Sequence, residues 1–364
     1  MRKLNRLTGI AAASVAALAL AACGGGGGNG GTTAPAGGGE TTPAAGGETT
    51  PEAGGNEGGS SEGKDMRLAL NQTETHPSYV VLNQMGEDLS EATDGRWSVD
   101  VFPNSTLGDQ GEYIQMVSSG VVDLAIVSAP QLENINGDFV IFSLPTVFTD
   151  IDAQMSVLTD MDIVGDIYSS LEESNSVTVL GPLTQGERNM YTKDRVETPA
   201  DLAGMKIRVQ ESPVFLAMIE ALGGSPTPMA YGEVYTGLQS GVIDGAENNM
   251  ISYESQKHYE VAPYYALTRH LVGADFLIVN TDTLNSMSAE DRAAFDETWT
   301  TAWTEHTELW KTNTETAISE AEAGGATFTE VDAAAFQEAL TPLLDEFLTT
   351  PEQQALLESI KVAQ

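Results

Sequence analysis

The sequence predicts an α/β fold, and three observations carry that prediction. From residue 66 onward, short apolar or alternating segments take turns with segments whose apolar residues recur every three to four positions, which is the rhythm of strands joined by helical crossovers. The 300 residues from Asp65 to Gln364 suffice for a large core or two lobes. The single cysteine among 364 residues excludes a disulfide scaffold, a zinc ribbon and a CxxC redox centre.

The elements follow in order. Met66 to Asn71 reads as a strand, and the loop after it reaches His76-Pro77, where proline suits a first helical turn. Val80, Val81, Met85 and Leu89 form a helical stripe that ends at the turn Asp94-Gly95. Trp97 to Phe102 alternates as a strand, Gly111 to Ser119 is helical, and Val122 to Val127 is an apolar strand. This run implies a parallel sheet. Residues 152 to 172 read as one helix, 176 to 182 as a strand, and 188 to 192 as a strand that opens a second unit. That unit continues with strand Met205 to Val209, helices over Val214 to Leu222 and Tyr231 to Ser240, and strand Val242 to Asn248. A long helix spans about Ala289 to Ala323, followed by Thr327-Phe328-Thr329 and two final helices. No short-period repeat is present.

The N-terminus follows different rules. Arg2, Lys3 and Arg6 precede an apolar run from Ile10 to Leu20 that is too short for a comfortable membrane span. Together they predict a removable export signal over residues 1–22. Leu20-Ala21-Ala22-Cys23 resembles a bacterial lipobox, in which the cysteine is acylated and becomes the new N-terminus. Residues 24 to 63 hold 17 of the 37 glycines and no Val, Ile, Leu, Phe, Tyr or Trp. Such a stretch cannot bury enough apolar surface to offset its ordering entropy. Residues 23–64 are therefore expected to be a lipidated Cys23 on a flexible tether, and the protein to be exported and held on the outer face of the cytoplasmic membrane, periplasmic or at the cell surface.

Charge and motifs narrow the function. Asp and Glu number 53 against 16 Lys and Arg, a net charge of -37, which makes phosphate contacts repulsive and excludes nucleic-acid partners. The chain has no GxSxG, HExxH, Walker A or strand-linked GxGxxG motif, so no catalytic residue and no cofactor is expected. His76, His258, His270 and His306 lack metal-ligand spacing. Asp160-Met161-Asp162 with Gly165 fails as a calcium loop, because Val164 and Leu171 stand where oxygen ligands belong. No metal is assigned. Asp244 and Glu247 read as a structural pair rather than as glycosidase carboxylates, being local in sequence.

Three blocks carry a resemblance: Asp201-Leu202-Ala203-Gly204-Met205-Lys206-Ile207-Arg208-Val209, then Gly223 through Tyr235, then Leu238 through Asn248. In order and spacing they resemble the substrate-binding proteins of TRAP (tripartite ATP-independent periplasmic) transporters, of the dicarboxylate-binding type. Phe102-Pro103, Leu107-Gly108, Gly120 to Asp123 and Leu144-Pro145 extend the similarity over 65 to 364. The resemblance implies a two-lobed periplasmic-binding-protein-like α/β fold, with hinge strands, a long bracing helix and a ligand cleft between the lobes. One lobe would comprise 65–185 plus about 274–313, the other 186–273 plus about 314–364. It further implies capture of a small organic acid anion and delivery to an ion-driven TRAP permease.

By the same resemblance, Arg208 matches the arginine that pairs with the ligand carboxylate through two parallel N–H donors. Arg188 matches a second arginine, Asn248 the amide beside it, and Tyr231 an aromatic of the cleft; Asn71 and Ser128 face the site from the other lobe. Read alone, Arg208 would equally suit a strand charge bonded to Asp244 or Glu247. Sialic-acid-binding members carry an acidic residue where this chain has Ser128 and an arginine where it has Gln131, which disfavours a sialate. Dicarboxylates, oxo acids, aromatic acids and lactate-like molecules remain, and some oxo-acid members bridge their ligand with a metal ion. An ABC-importer receptor is the alternative reading, and an exported hydrolase the more distant one.

Overall fold

The computed structural model describes residues 63–364, so the export signal, Cys23 and the tether up to residue 62 lie outside the described residues, while Lys64, expected to end the tether, instead opens the first strand by pairing with Trp97. Within 63–364 the strands are β1 (Lys64–Ala69), β2 (Trp97–Phe102), β3 (Leu124–Ser128), β4 (Val177–Thr192), β5 (Lys206–Val209), β6 (Ser225–Pro228), β7 (Gly245–Asn248), β8 (Tyr264–Asn280) and β9 (Thr327–Glu330). They join in one sheet of order β2-β1-β3-β8-β4-β7-β5-β6, with β9 beside β8. Pairs β1–β2, β1–β3, β5–β6, β5–β7 and β8–β9 are parallel.

Strands β4 and β8 are antiparallel to each other and to their neighbours β3 and β7, so the sheet is mixed rather than parallel throughout. These two strands are long enough to serve both ends of the sheet. Val177–Thr184 and Ala274–Asn280 pair beside β3, whereas Asn189–Thr192 pairs with β7 and Tyr264–Ala266 pairs beside it. Two register shifts, between Thr184 and Gly186 and between Arg188 and Met190, separate the β1–β3 half from the β5–β7 half. Gly186 sits there at φ +58°, and a Cβ on it would lie 2.3 Å from Trp310 Nε1. Only glycine fits the turn and the contact together.

One apolar cluster runs through both halves, from Ala125 and Phe276 to Ile207 and Phe215, and each half adds a cluster of its own. Successive strand residues face opposite sides, so Leu124, Ile126, Leu277 and Val279 pack on the helix Pro77–Ala92 through Val81, Leu82, Met85 and Leu89. Ala125, Val127, Phe276 and Ile278 pack on the other face. Burial on both faces explains why these strands read as continuous apolar runs. In the other half Tyr191, Val234, Leu238, Ala246, Tyr253 and Tyr265 cluster. The helix Ala289–Ala323 joins both, placing Phe295 and Trp299 in the first core and Ala321 in the second.

Several expected elements differ. The helix read over 152–172 is two, Ile151–Leu158 and Met161–Ser169, because the Asp160 side chain accepts from the Asp162 N–H and caps a new start. The two strands 176–182 and 188–192 are one, β4, continuous through its shifts. The stretch Val242 to Asn248 is strand only from Gly245, and three helices rather than two follow β9: Ala333–Leu340, Pro342–Phe347 and Pro351–Ala363.

Candidate ligand cleft

The C-terminal ends of β1, β3, β5 and β7 converge where the two halves meet, the place where crossover topology leaves room for a ligand. Asn71 and Gln72 follow β1, Ser128 ends β3, Gln210 follows β5 and Asn248 ends β7. They line a cleft of about 640 Å³, including its mouth, together with Arg188, Arg208, Gln185 and Tyr231. All six residues expected at the site from the sequence therefore border one cleft.

The two arginines differ in how their donors are used. Arg188 is 2% exposed, and all five of its N–H groups are engaged within the protein. Nε and Nη2 donate to the two Glu247 carboxylate oxygens at 2.7 Å each, and Nη2 also to the Glu247 carbonyl at 3.1 Å. Nη1 donates to Asn248 Oδ1 at 2.9 Å and to Gln185 Oε1 at 2.5 Å. Gly273 makes room for this fork: a Cβ there would lie 2.8 Å from Arg188 Cδ.

Arg208 is 3% exposed and has no carboxylate partner among the described residues. Its Nε donates to the Met229 carbonyl at 2.9 Å, and its guanidinium lies 5.9 Å from the Tyr231 ring centre. Both Nη groups lack a partner among the described residues. Burial pulls its pKa below the ordinary arginine value, as expected of a cation whose desolvation is not offset. The expected rival role does not occur, since Glu247 serves Arg188 and Asp244 accepts from the Lys206 N–H.

Around these charges the lining is amide and hydroxyl. Asn248 Oδ1 accepts from Arg188 and from the backbone and side chain of Asn249, leaving its NH2 group toward the cleft. Asn71 Oδ1 and Gln72 Oε1 are buried acceptors without a donor among the described residues. The Ser128 hydroxyl meets Gln110 Oε1 at 2.9 Å and Gln210 Oε1 across the cleft. Tyr231 donates to the Ser252 carbonyl at 3.3 Å, and burial pushes its phenol up to about 12. Gln72, Gln110, Gln185 and Gln210 were not singled out in the sequence. The only available signal was that Gln72 and Gln210 each stand just past a strand end.

A family model described as bacterial extracellular solute-binding protein, family 7, matches residues 68–350. The chain belongs to this family. A solute-binding protein of Chromohalobacter salexigens is 37% identical over 293 residues, covering 80% of this chain and 87% of the relative. The crystal structure of a TRAP periplasmic solute-binding protein from the same organism, with bound D-glucuronate, matches at a TM-score of 0.78 and 35% identity. It covers 82% of this chain and 100% of its own. A Xanthobacter autotrophicus counterpart with bound β-D-galacturonate matches at 0.78 and 32%, with the same coverage. The family is one of solute receptors with the two-lobed fold, not of enzymes, and the neighbours place the chain with TRAP rather than ABC systems.

Proposed function

We propose that this receptor captures a hexuronate, a six-carbon sugar acid with one carboxylate, and hands it to an ion-driven TRAP permease. The observation that carries the reading is the pair of arginines, one neutralised and one not. With Arg188 spent on Glu247, Arg208 is, among the described residues, the one cleft cation with free donors, which favours one carboxylate over two. A dicarboxylate would bring a second buried charge without a partner, a costly arrangement. Orphaned acceptors on Asn71 and Gln72 and the free amide of Asn248 suit ligand hydroxyls, which both donate and accept. The glucuronate and galacturonate held by the related structures have this chemistry. Among the acids expected from the sequence, none combines one carboxylate with a ring of hydroxyls.

In this reading Arg208 clamps the carboxylate, Asn248, Asn71 and Ser128 meet hydroxyls, Tyr231 walls the ring, and Arg188 holds Asn248 and Gln185 in place. The lobes divide at 185/186 and 273/274, beside the register shifts of β4 and β8, with the long helix crossing near 313/314. Acylated Cys23 and the tether keep the receptor at the membrane where the permease lies, which the lipobox-like sequence supports. A thermal-shift panel on the full chain tests the function, since a ligand of the folded state raises the melting temperature. D-glucuronate or D-galacturonate should raise it, and succinate and D-glucose should not. A shift with succinate alone would return the ligand to the dicarboxylates.

A further inference from the structure

Outside the cleft lining, the two halves meet along a second seam. Glu133 ends the short helix Ala129–Glu133 that follows β3. Across from it, Ser212 caps the helix Pro213–Ala221, its hydroxyl accepting from the Phe215 N–H at 3.3 Å and donating to Glu133 Oε1. Beside this pair, Asn134 Nδ2 donates to the Glu211 carbonyl at 2.8 Å and Ser128 meets Gln210. Residues 128, 133 and 134 thus hold 210, 211 and 212, and Glu133 is the one ionisable side chain in these contacts.

The environment of that carboxyl favours its acid form. Glu133 is 9% exposed and has no cationic partner among the described residues. Its Oε2 is buried without a donor among the described residues, which costs a carboxylate more than an acid. Among the described residues, no packed element supplies a compensating charge. Asp138 on the 3-10 helix Gly137–Ser143 bonds Gln353, Asp275 on β8 bonds Gln185, Glu220 sits exposed at the far end of Pro213–Ala221, and Glu211 is exposed. Arg188, over the Phe215 ring at 5.5 Å, is committed to Glu247.

We infer that Glu133 is a positioning residue for ligand capture: as a carboxylic acid it clasps the two halves, so that closing the cleft takes up a proton. Burial holds the clasped carboxyl up at about 7, against an ordinary 4.5 when the halves part, with the Ser212 hydroxyl drawing it partly back. A raised acid contributes to closure fully below 4.5 and loses that contribution as pH rises to 7. The proton is bound on closing and released on opening.

The inference rests on the receptor reading above, and its test separates the two. Calorimetry with D-glucuronate on the full chain should show wild-type affinity falling by about tenfold or more between about pH 5 and about pH 8. Glu133→Gln keeps the clasp without the titration, so its affinity should match wild type at the acid end and stay nearly level. Asp275, pushed up to about 6 by burial, is common to both proteins and cancels in their ratio. A level wild-type profile, or the same slope in Glu133→Gln, overturns the clasp. If Glu133→Gln does not fold, proton uptake by wild type decides, measured in two buffers of different ionisation heat; no uptake overturns the inference. If wild type binds no D-glucuronate at any pH, the proposed function falls, and X-ray scattering of the ligand-free chain decides the clasp. Expansion with rising pH in wild type and not in Glu133→Gln supports it, and identical behaviour overturns it.

Discussion

Two buried arginines a few ångströms from the same cleft do opposite work, and the difference is one carboxylate. Removing Arg188 would strand Glu247, which is wholly buried, and loss of one partner of such a pair typically costs about 3–5 kcal/mol. Arg188→Ala should therefore melt well below wild type without any ligand present. Arg208→Ala removes a cation whose burial is uncompensated, so its ligand-free melting temperature should stay at or above that of wild type. A lower melting temperature for Arg208→Ala than for Arg188→Ala would reverse the two roles. Both arginines were legible in the sequence, because basic residues are scarce: Arg208 stands in one of the three blocks, and Arg188 was picked out by the same resemblance. Which of them Glu247 neutralises was not, since strand register across β4 and β7 decides it. The glutamines were hidden for a different reason: an amide carries no charge, and its role depends on what the opposite wall presents.

At the scale of elements, the long strands β4 and β8 let one sheet serve two halves, and the shifts at Gly186 and Arg188 let those halves differ in register. Gly186→Ala should disturb this link directly. Its Cβ would meet Trp310 Nε1 at 2.3 Å, and its φ of +58° disfavours a side chain. Strained backbone of this kind costs about 1–3 kcal/mol, and displacing Trp310 loosens the long helix against the hinge. Denaturant unfolding should show a loss of at least that size, and an unchanged midpoint would mean that the glycine is incidental. The long helix was legible to the residue, Ala289–Ala323, because Ser288 caps its start and no glycine or proline interrupts it. Strand β8 went unread in the sequence, since Arg269 and His270 interrupt its apolar run where the strand bulges away from β4. Strand β6 was equally obscure, because Pro226 and Pro228 are tolerated only at the sheet edge it occupies.

At the scale of the whole molecule, the 300 residues from Asp65 carry a net charge of -36, which repels any anion at long range. Capture of a sugar acid must then come from donors that are local and shielded from water. Salt screens the distant repulsion beyond about 8 Å while leaving a buried contact largely intact. Affinity for D-glucuronate should therefore hold or improve as ionic strength rises from low to physiological values. The central claim is that one guanidinium, Arg208, supplies the net attraction, and calorimetric titration of D-glucuronate into wild type and Arg208→Ala tests it most directly. Loss of such a contact typically costs about 2–5 kcal/mol, roughly 30-fold to several-thousand-fold in Kd. Wild type should bind one D-glucuronate per chain and Arg208→Ala should show that loss; binding by Arg208→Ala within about twofold of wild type would contradict the account.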